Sequence, residues 1–400
     1  MRVPSGPPRT IRVALTDFRW PLDPALATTR DEATIARTLY ATPLRTDAAG
    51  RVVPGLCSGW NGTPDFRTWR FTCRAAPAIA AALRRVARMK GSPSHWLFAA
   101  ATKVTSPSAR KLVVRLGFAW RRFPYALTAV AAAPRGVPGP FRLVRGSADR
   151  VVVKGPETTV VFERMQPVAA VRAFRDDRLD EAPVPIGDLG ALRAQSDVRM
   201  RELLGLDAVL FRRSVDPSVR RAYWETANRG DYQALLGTSM ALDVVGKATK
   251  PDPAAFRRAL KAIPDLPRIA VRLAREPALD YGANVLYGQW REAGLGPVLV
   301  RPGPGADARF ERLLAAYPQA EALPAALVLG DGLADRETLV GALARVDQTS
   351  ELAAVDRTLR AAAQVIPIAW VSDARLVSPR LLRWREDLLG AVDYSRVAVR

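Results

Sequence analysis

Residues 50–74 read GRVVPGLCSGWNGTPDFRTWRFTCR, two extended segments with a polar stretch between them. The turn Asp47-Ala-Ala-Gly50 leads into the short apolar run Val52-Val53-Pro54. Trp69–Cys73 alternates apolar and polar residues, as a half-buried strand does. Asn61-Gly62-Thr63 reads as a polar turn and also fits a glycosylation sequon. Cys57 and Cys73 stand 16 positions apart. In a reducing compartment they would be small buried hydrophobes. In an oxidising one they would close a loop worth roughly 3 kcal/mol, and spacing alone leaves both readings open.

Outward from this stretch, strand and helix signals alternate. Thr10–Leu15 (TIRVAL), Lys111–Leu116 and Ile366–Val371 read as strands, and Ala208–Phe211 as a short one. Phe141–Arg145, Arg150–Val153 and Thr159–Phe162 read as a meander. Helical spacing covers Asp31–Tyr40, Ala75–Met89, Pro124–Ala133, Val168–Phe174, Glu337–Val346 and Leu352–Ala363. Val219–Leu236 reads as one long helix entered through Asp216-Pro217. Pro251–Pro253 marks a break before a helix from Ala254 to Ala262. Arg268–Leu273 and Pro297–Val300 are strands around a helix, Tyr281–Ala293, closed by Gly294 as C′ glycine. The apolar run Ala325–Leu329 continues the alternation. Pro134–Pro140 (PRGVPGP) is the sharpest punctuation in the chain. The order predicts a mixed α/β protein with partly parallel sheets.

The chain has 400 residues, 60 Lys+Arg against 39 Asp+Glu, one histidine and a formal charge of +21. Residues 1–137 hold 22 of the bases and six acids, a net of +16. Such asymmetry attracts anionic partners: nucleic acid, an acidic membrane or a cell-wall polymer. The alternative is an arginine-heavy composition that only solvates the surface. No stretch approaches the ~18 apolar residues of a membrane span. The opening MRVPSGPPRTIRVALT lacks an apolar leader core, so the chain reads as cytosolic or as one whose leader is not in this sequence.

Catalytic patterns are missing. There is no GxSxG elbow, Walker A run or HExxH. One histidine and two cysteines make no metal cage, so no catalytic residue, metal or cofactor is expected. Basic–aromatic neighbours occur at Trp120–Phe123, Phe211–Arg213 and Arg383–Arg385 and could stack bases beside phosphates. They are scattered and match no nucleic-acid-binding motif.

A series of short signatures resembles one family. These are Leu22-Asp23-Pro24, Thr38-Leu39-Tyr40, Leu44–Asp47, Gly50–Leu56 with Trp60, and Trp69–Arg74. Gly139–Leu143, Val219–Ala222 with Asn228-Arg229, Val365–Trp370 and Ala374–Pro379 follow in the same order. Together they are similar to the extracellular solute-binding proteins of ABC importers, in the dipeptide/oligopeptide/nickel-binding family (family 5). The resemblance implies a type II periplasmic-binding-protein fold, α/β, with two hinged lobes and an extra subdomain on lobe I. Lobe I would combine residues 1–30, 138–213 and 366–400, the subdomain 31–137 and lobe II 214–365. The family's acidic stretch after the Trp69–Arg74 segment is missing, because Arg74 leads straight into the alanine-rich helix.

The resemblance also implies a function. A small peptide-like or other solute would be captured in the interlobe cleft and handed to ABC permease subunits by a monomeric extracytoplasmic protein. The cleft residues would be Thr29, Arg30, Asp31, His95, Trp96, Phe211, Arg212 and Tyr317. Export implies that Cys57 and Cys73 are bonded. In Leu314-Ala-Ala-Tyr-Pro318, alanine stands where peptide binders carry an aspartate for the ligand's amino terminus. An amine-bearing di- or tripeptide is therefore expected to bind poorly, and Arg30 and Arg212 suggest an anionic ligand. The basic third could orient the protein on an anionic envelope. The competing reading is a degenerate or regulatory member of the fold, acting as an interaction or nucleic-acid-binding protein.

Overall fold

In a computed structural model, described for residues 9–47, 49–236, 239–240, 244, 270–274, 280–300, 305–333, 336–345 and 349–400, the alternation at Thr10–Leu15 becomes the strand Arg9–Leu15. Ile11, Val13 and Leu15 face inward and are fully buried. This strand runs parallel to Thr158–Arg164, setting Ile11 beside Val160 and Val13 beside Phe162. Thr158–Arg164 continues antiparallel into Arg150–Lys154 and Arg142–Gly146, the expected meander. The helix Arg30–Leu39 covers this sheet with Ile35, Ala36 and Leu39.

Two long strands carry the chain between its halves. Val198–Phe211 and Val365–Val377 pair antiparallel, from Val198 opposite Leu376 to Leu210 opposite Val365, with an irregular register between Glu202 and Leu206. At one end Val365–Val377 pairs with Glu181–Pro183 beside the first strand. At the other, Val198–Phe211 pairs with Ala308–Leu314, which meets the parallel strands Ala270–Ala274 and Gly296–Val300. One sheet thus spans both halves. Phe211, Val271, Leu273, Phe310, Ile366 and Ile368 form the second half's core with Tyr223 and Trp290.

Residues 57–116 build a separate four-stranded antiparallel sheet in the order Cys57–Gly62, Thr68–Cys73, Lys111–Leu116, Ala101–Ser108. Cys57 and Cys73 face each other across the first pair and are disulfide-bonded. The helix Ala76–Arg88 packs on the inner face through Ile79, Ala80, Leu83 and Val86.

Several local expectations are corrected. Ala208–Phe211 is only the end of a 14-residue strand, and Ile366–Val371 lies within one of 13. Charged residues such as Arg199, Arg201 and Glu202 hide the rest of the apolar period. Val219–Leu236 is two helices, Pro217–Thr226 and Arg229–Leu236. Thr226 Oγ1 donates to the Ala222 carbonyl at 2.7 Å, Ala227 turns extended, and Asn228 Oδ1 accepts from Asp231 N at 3.3 Å as a new cap. Pro124–Ala133 is two short turns, Phe123–Ala126 and Val130–Ala132. Ala325–Leu329 is helical, a short turn running into a wider π turn; a buried apolar run alone cannot separate helix from strand. Gly294 closes the helix Asp280–Glu292 at φ +79°, as a C′ glycine should. The break at Pro251–Pro253 and the helix at Ala254–Ala262 lie outside the described residues.

Candidate functional site

Two buried junctions join distant parts of the chain. The first gathers Thr29, Arg30 and Asp31. Thr29 caps the helix Arg30–Leu39: Glu32 N donates to its hydroxyl at 3.1 Å and the Glu32 carboxylate accepts from Thr29 N at 3.4 Å. Asp31 accepts from Thr16 N at 2.7 Å and Asp17 N at 3.1 Å, and pairs with Arg375 at 3.3 Å. Arg30 lies among Glu386 at 2.7 Å, Asp373 at 3.0 Å, Asp31 at 3.5 Å and Glu181 at 3.9 Å. Glu181 accepts from the Trp384 indole at 2.7 Å and the Tyr394 hydroxyl at 2.8 Å.

Burial opposes the charge on Arg30, yet Asp373, Glu386, Glu181 and Asp31 together hold its pKa well above the ordinary value. Burial raises the Glu386 carboxyl, and the neighbouring Asp373 charge adds to this, pushing it up to about 8. For Asp373 the attraction of Arg30 and Arg375 outweighs burial and its pKa is lowered. Asp373 lies on the crossing strand Val365–Val377, while Glu386 is on the C-terminal segment. The cluster therefore ties the first helix and the tail to the bridge between the halves.

The second junction is aromatic. Trp96, in the helix His95–Ala99, meets Tyr317 of the second half at 6.2 Å between ring centroids. Trp120 and Tyr125 each stand 6.3 Å from the same ring, and Trp96 stacks on Trp120 at 6.4 Å. The π turn approaches so closely that a Cβ on Gly330 would lie 3.3 Å from Trp96 Cδ1. Arg122 crosses the seam, donating to Gln319 Oε1 at 2.7 Å and Glu321 Oε2 at 3.3 Å.

Inside this seam, Trp120 Nε1, Tyr317 Oη and Glu321 Oε1 are buried without a hydrogen-bond partner. Burial pushes Glu321 above the usual carboxylate range. Burial also raises Tyr317, and the nearby Glu321 charge adds to it. Each orphaned polar atom costs on the order of 1–3 kcal/mol. A small cavity of about 10 Å³ lies between the junctions, lined by Thr46, Asp47, Gly50, Pro318, Asp387, Leu388 and Leu389. It has room for about one water.

Of the residues singled out from sequence, the structure brings Trp96 and Tyr317 into contact. Thr29, Arg30 and Asp31 sit together in the charged junction, where cap and ion pairs occupy them. His95 is half-buried with Nδ1 3.2 Å from the Val86 carbonyl. Phe211 is core, edge-on to Tyr223 at 5.9 Å. Arg212 is exposed, and its backbone N–H donates to the Asp307 carbonyl at 2.9 Å. Sequence reasoning missed Trp120, Tyr125, Arg122 and Glu321 as members of the seam. The unusual density of aromatics at Trp96, Trp120 and Tyr125 was the available signal. Trp120 is buried and Arg122 paired, so this basic–aromatic run does not offer a free stacking surface. Trp384 likewise spends its indole N–H on Glu181.

Among the described residues, no group of three or more His, Cys, Asp or Glu is placed to hold a metal ion. No helix there is long and apolar enough to cross a membrane.

No family model and no curated protein matches the chain. Solved structures do. The Escherichia coli murein tripeptide binding protein MppA is similar at TM-score 0.85 and 16% identity, covering 98% of this chain and 99% of that one. Haemophilus influenzae OppA in complex with the peptide RPPGFSPFR is similar at 0.84 and 14% identity, over 98% and 99%. The unliganded open form of MppA reaches only 0.66, at 17% identity over 98% and 99%. These likenesses show the fold, a type II periplasmic-binding-protein architecture.

Proposed function

We propose that the chain is an extracytoplasmic solute-binding protein of the dipeptide/oligopeptide/nickel-binding family, which closes on a small peptide-like or other small solute and presents it to an ABC permease. The observation that carries this reading is the Tyr317 seam, where three orphaned polar atoms and four aromatic rings line the contact between two halves hinged by two strands. A ligand that satisfied those atoms would stabilise the closed form by its differential contacts alone. The similar proteins whose names state a peptide ligand support the same reading. In this reading lobe I comprises residues 1–30, 138–213 and 366–400, the subdomain 31–137 and lobe II 214–365.

Trp96, Trp120, Tyr125, Tyr317 and Glu321 are the residues proposed to meet the solute. Ala316 supplies no carboxylate, and Glu321 is already paired with Arg122. With Arg122 offsetting the Glu321 charge, a free amino terminus meets no net negative charge there; Glu321 Oε1 is left for a neutral donor, and an amine-bearing di- or tripeptide should bind weakly. Arg30 is enclosed by four carboxylates and offers no spare charge to an anionic ligand. Native mass spectrometry of the purified protein tests the reading directly: a co-purifying small molecule is expected. Calorimetry with dipeptides tests the second point, and tight, amine-dependent binding would overturn it.

A second reading, a degenerate member that serves as an interaction protein, draws on the fact that the chain's own rings already fill the seam. It predicts no bound small molecule and Trp fluorescence unresponsive to any solute.

A further inference from the structure

The outward face of the four-stranded sheet carries a different kind of site. Residues 66–148 contain no Asp or Glu at all. Within this acid-free stretch, strand pairing places four of the bases, Arg70, Lys103, Lys111 and Arg115, on one surface. Trp69, Phe71, Leu112, Val114 and Val104 point inward and are buried against the helix Ala76–Arg88. The alternate positions point outward. Across the sheet the outward rows are Asn61, Arg70, Val113 and Thr105; Thr68, Arg115 and Lys103; and Thr72 and Lys111. Arg70, Lys103, Lys111 and Arg115 are all exposed.

Lys103 stands directly opposite Arg115, an arrangement of like charges that weakens a sheet. Among the described residues no carboxylate pairs with Arg70, Lys103, Lys111 or Arg115. The acid nearest in sequence, Asp65, is engaged at the hairpin tip by Thr63 Oγ1 at 2.5 Å and Arg67 N at 3.1 Å. A merely solvated face would interleave both signs. The face extends over about 15 by 20 Å, from strand spacing and rise. Hydroxyls of Thr68, Thr72 and Thr105 lie between its bases, and no large exposed apolar side chain occurs between residues 57 and 116.

We infer that this face docks peripherally on an anionic lipid bilayer. Charge complementarity favours a polyanion, and bases spread over several strands favour a broad anionic surface over a single extended chain. The absence of an exposed ring on the face removes the stacking that single-stranded nucleic acid would use. With no apolar residue to insert, attachment is electrostatic and reversible, each base contributing about fivefold in partition at low salt. The inference stands apart from the ligand reading, since none of these residues belongs to the seam.

Vesicle co-sedimentation tests it. Wild-type protein should bind phosphatidylcholine vesicles containing one-third phosphatidylglycerol several hundredfold better than pure phosphatidylcholine vesicles in 50 mM salt. At 500 mM salt, where the screening length is a few ångströms, the difference should collapse. Lys103→Glu/Arg115→Glu should lower binding at least 25-fold. The control Arg175→Glu/Arg193→Glu changes net charge equally at exposed sites outside the face and should lose less than threefold. Unchanged far-ultraviolet dichroism and melting would show both variants folded, and Lys111→Gln serves if the double variant is not. The inference is overturned if both pairs lose binding equally, if salt has no effect, or if a single-stranded oligonucleotide binds more tightly than the anionic vesicles at equal salt.

Discussion

The charged junction around Arg30 and the aromatic seam around Tyr317 both join segments hundreds of residues apart, yet they are built from opposite chemistry. At Arg30, every carboxylate shares a cation, and separating the pieces would strand buried charge. The junction's own orphans, Arg30 Nη1 and Glu181 Oε1, still lie within ion pairs at 3.5 and 3.9 Å. At Tyr317, by contrast, the contacts are ring faces, and three polar atoms lack partners. Opening the seam rewets those atoms and recovers part of the lost apolar contact. Opening the junction recovers nothing comparable, because removing one partner of a buried ion cluster leaves the rest uncompensated. The difference teaches which contact can serve as a moving part. In the reading proposed above, the Arg30 cluster anchors the bridge and the seam is the surface along which the halves would part.

The anchor can be challenged first. Arg30→Ala takes the cation from Glu386 and leaves Asp31, Glu181 and Asp373 to share Arg375 alone, and should cost about 3–5 kcal/mol of stability in urea unfolding. A loss under about 1 kcal/mol would erase the distinction between the two junctions. On the seam's side, Cys57→Ala/Cys73→Ala opens the 16-residue loop that staples the sheet whose Trp69 indole donates to the Trp120 carbonyl. It should cost about 3 kcal/mol, whereas an unchanged melt would mean the sheet needs no staple.

The anchor should also answer to pH. Glu386 has its folded pKa raised above the unfolded carboxylate value, so its contribution is complete below about pH 4.3. It is lost as pH climbs toward about 8. Asp373 is shifted downward, and its contribution fades only in strong acid, outside that window. Stability should fall by up to about 4 kcal/mol between pH 5 and pH 8, and Glu386→Gln should flatten the curve. A rise over the same range would reverse the assignment. The smallest effect sharpens the seam: Tyr317→Phe removes an orphaned hydroxyl and should stabilise the unliganded protein by about 1 kcal/mol. Destabilisation of that size would show the hydroxyl to be satisfied.

Much of the scaffold was legible because its signals are local. The alternation of TIRVAL, the glycine at 294 and the meander after Pro140 each act within a few residues. The crossing strands were half-legible: their apolar ends read as strands, while Arg199, Arg201 and Glu202 broke the period. The strand Ala308–Leu314 was not read at all, since its Arg312 looks like a surface residue. It is held instead by Asp207 through two hydrogen bonds of 2.8 and 2.9 Å. Arg30 and Asp31 were visible as notable residues beside a helix start, but their enclosure depends on Asp373, Arg375 and Glu386, more than 340 positions away.

Sequence by itself determined the class of the fold, much of its order of elements, the acid-free stretch and the absence of familiar catalytic motifs. Those properties follow from periodicity, turn chemistry and composition, which are readable one window at a time. Only the tertiary structure decided that Trp96, Trp120 and Tyr125 converge on Tyr317, and that Arg30 serves as an anchor. It alone placed four bases of the acid-free stretch on one face. Burial and pairing belong to the meeting of distant segments, and a side chain's chemistry is set by what it meets.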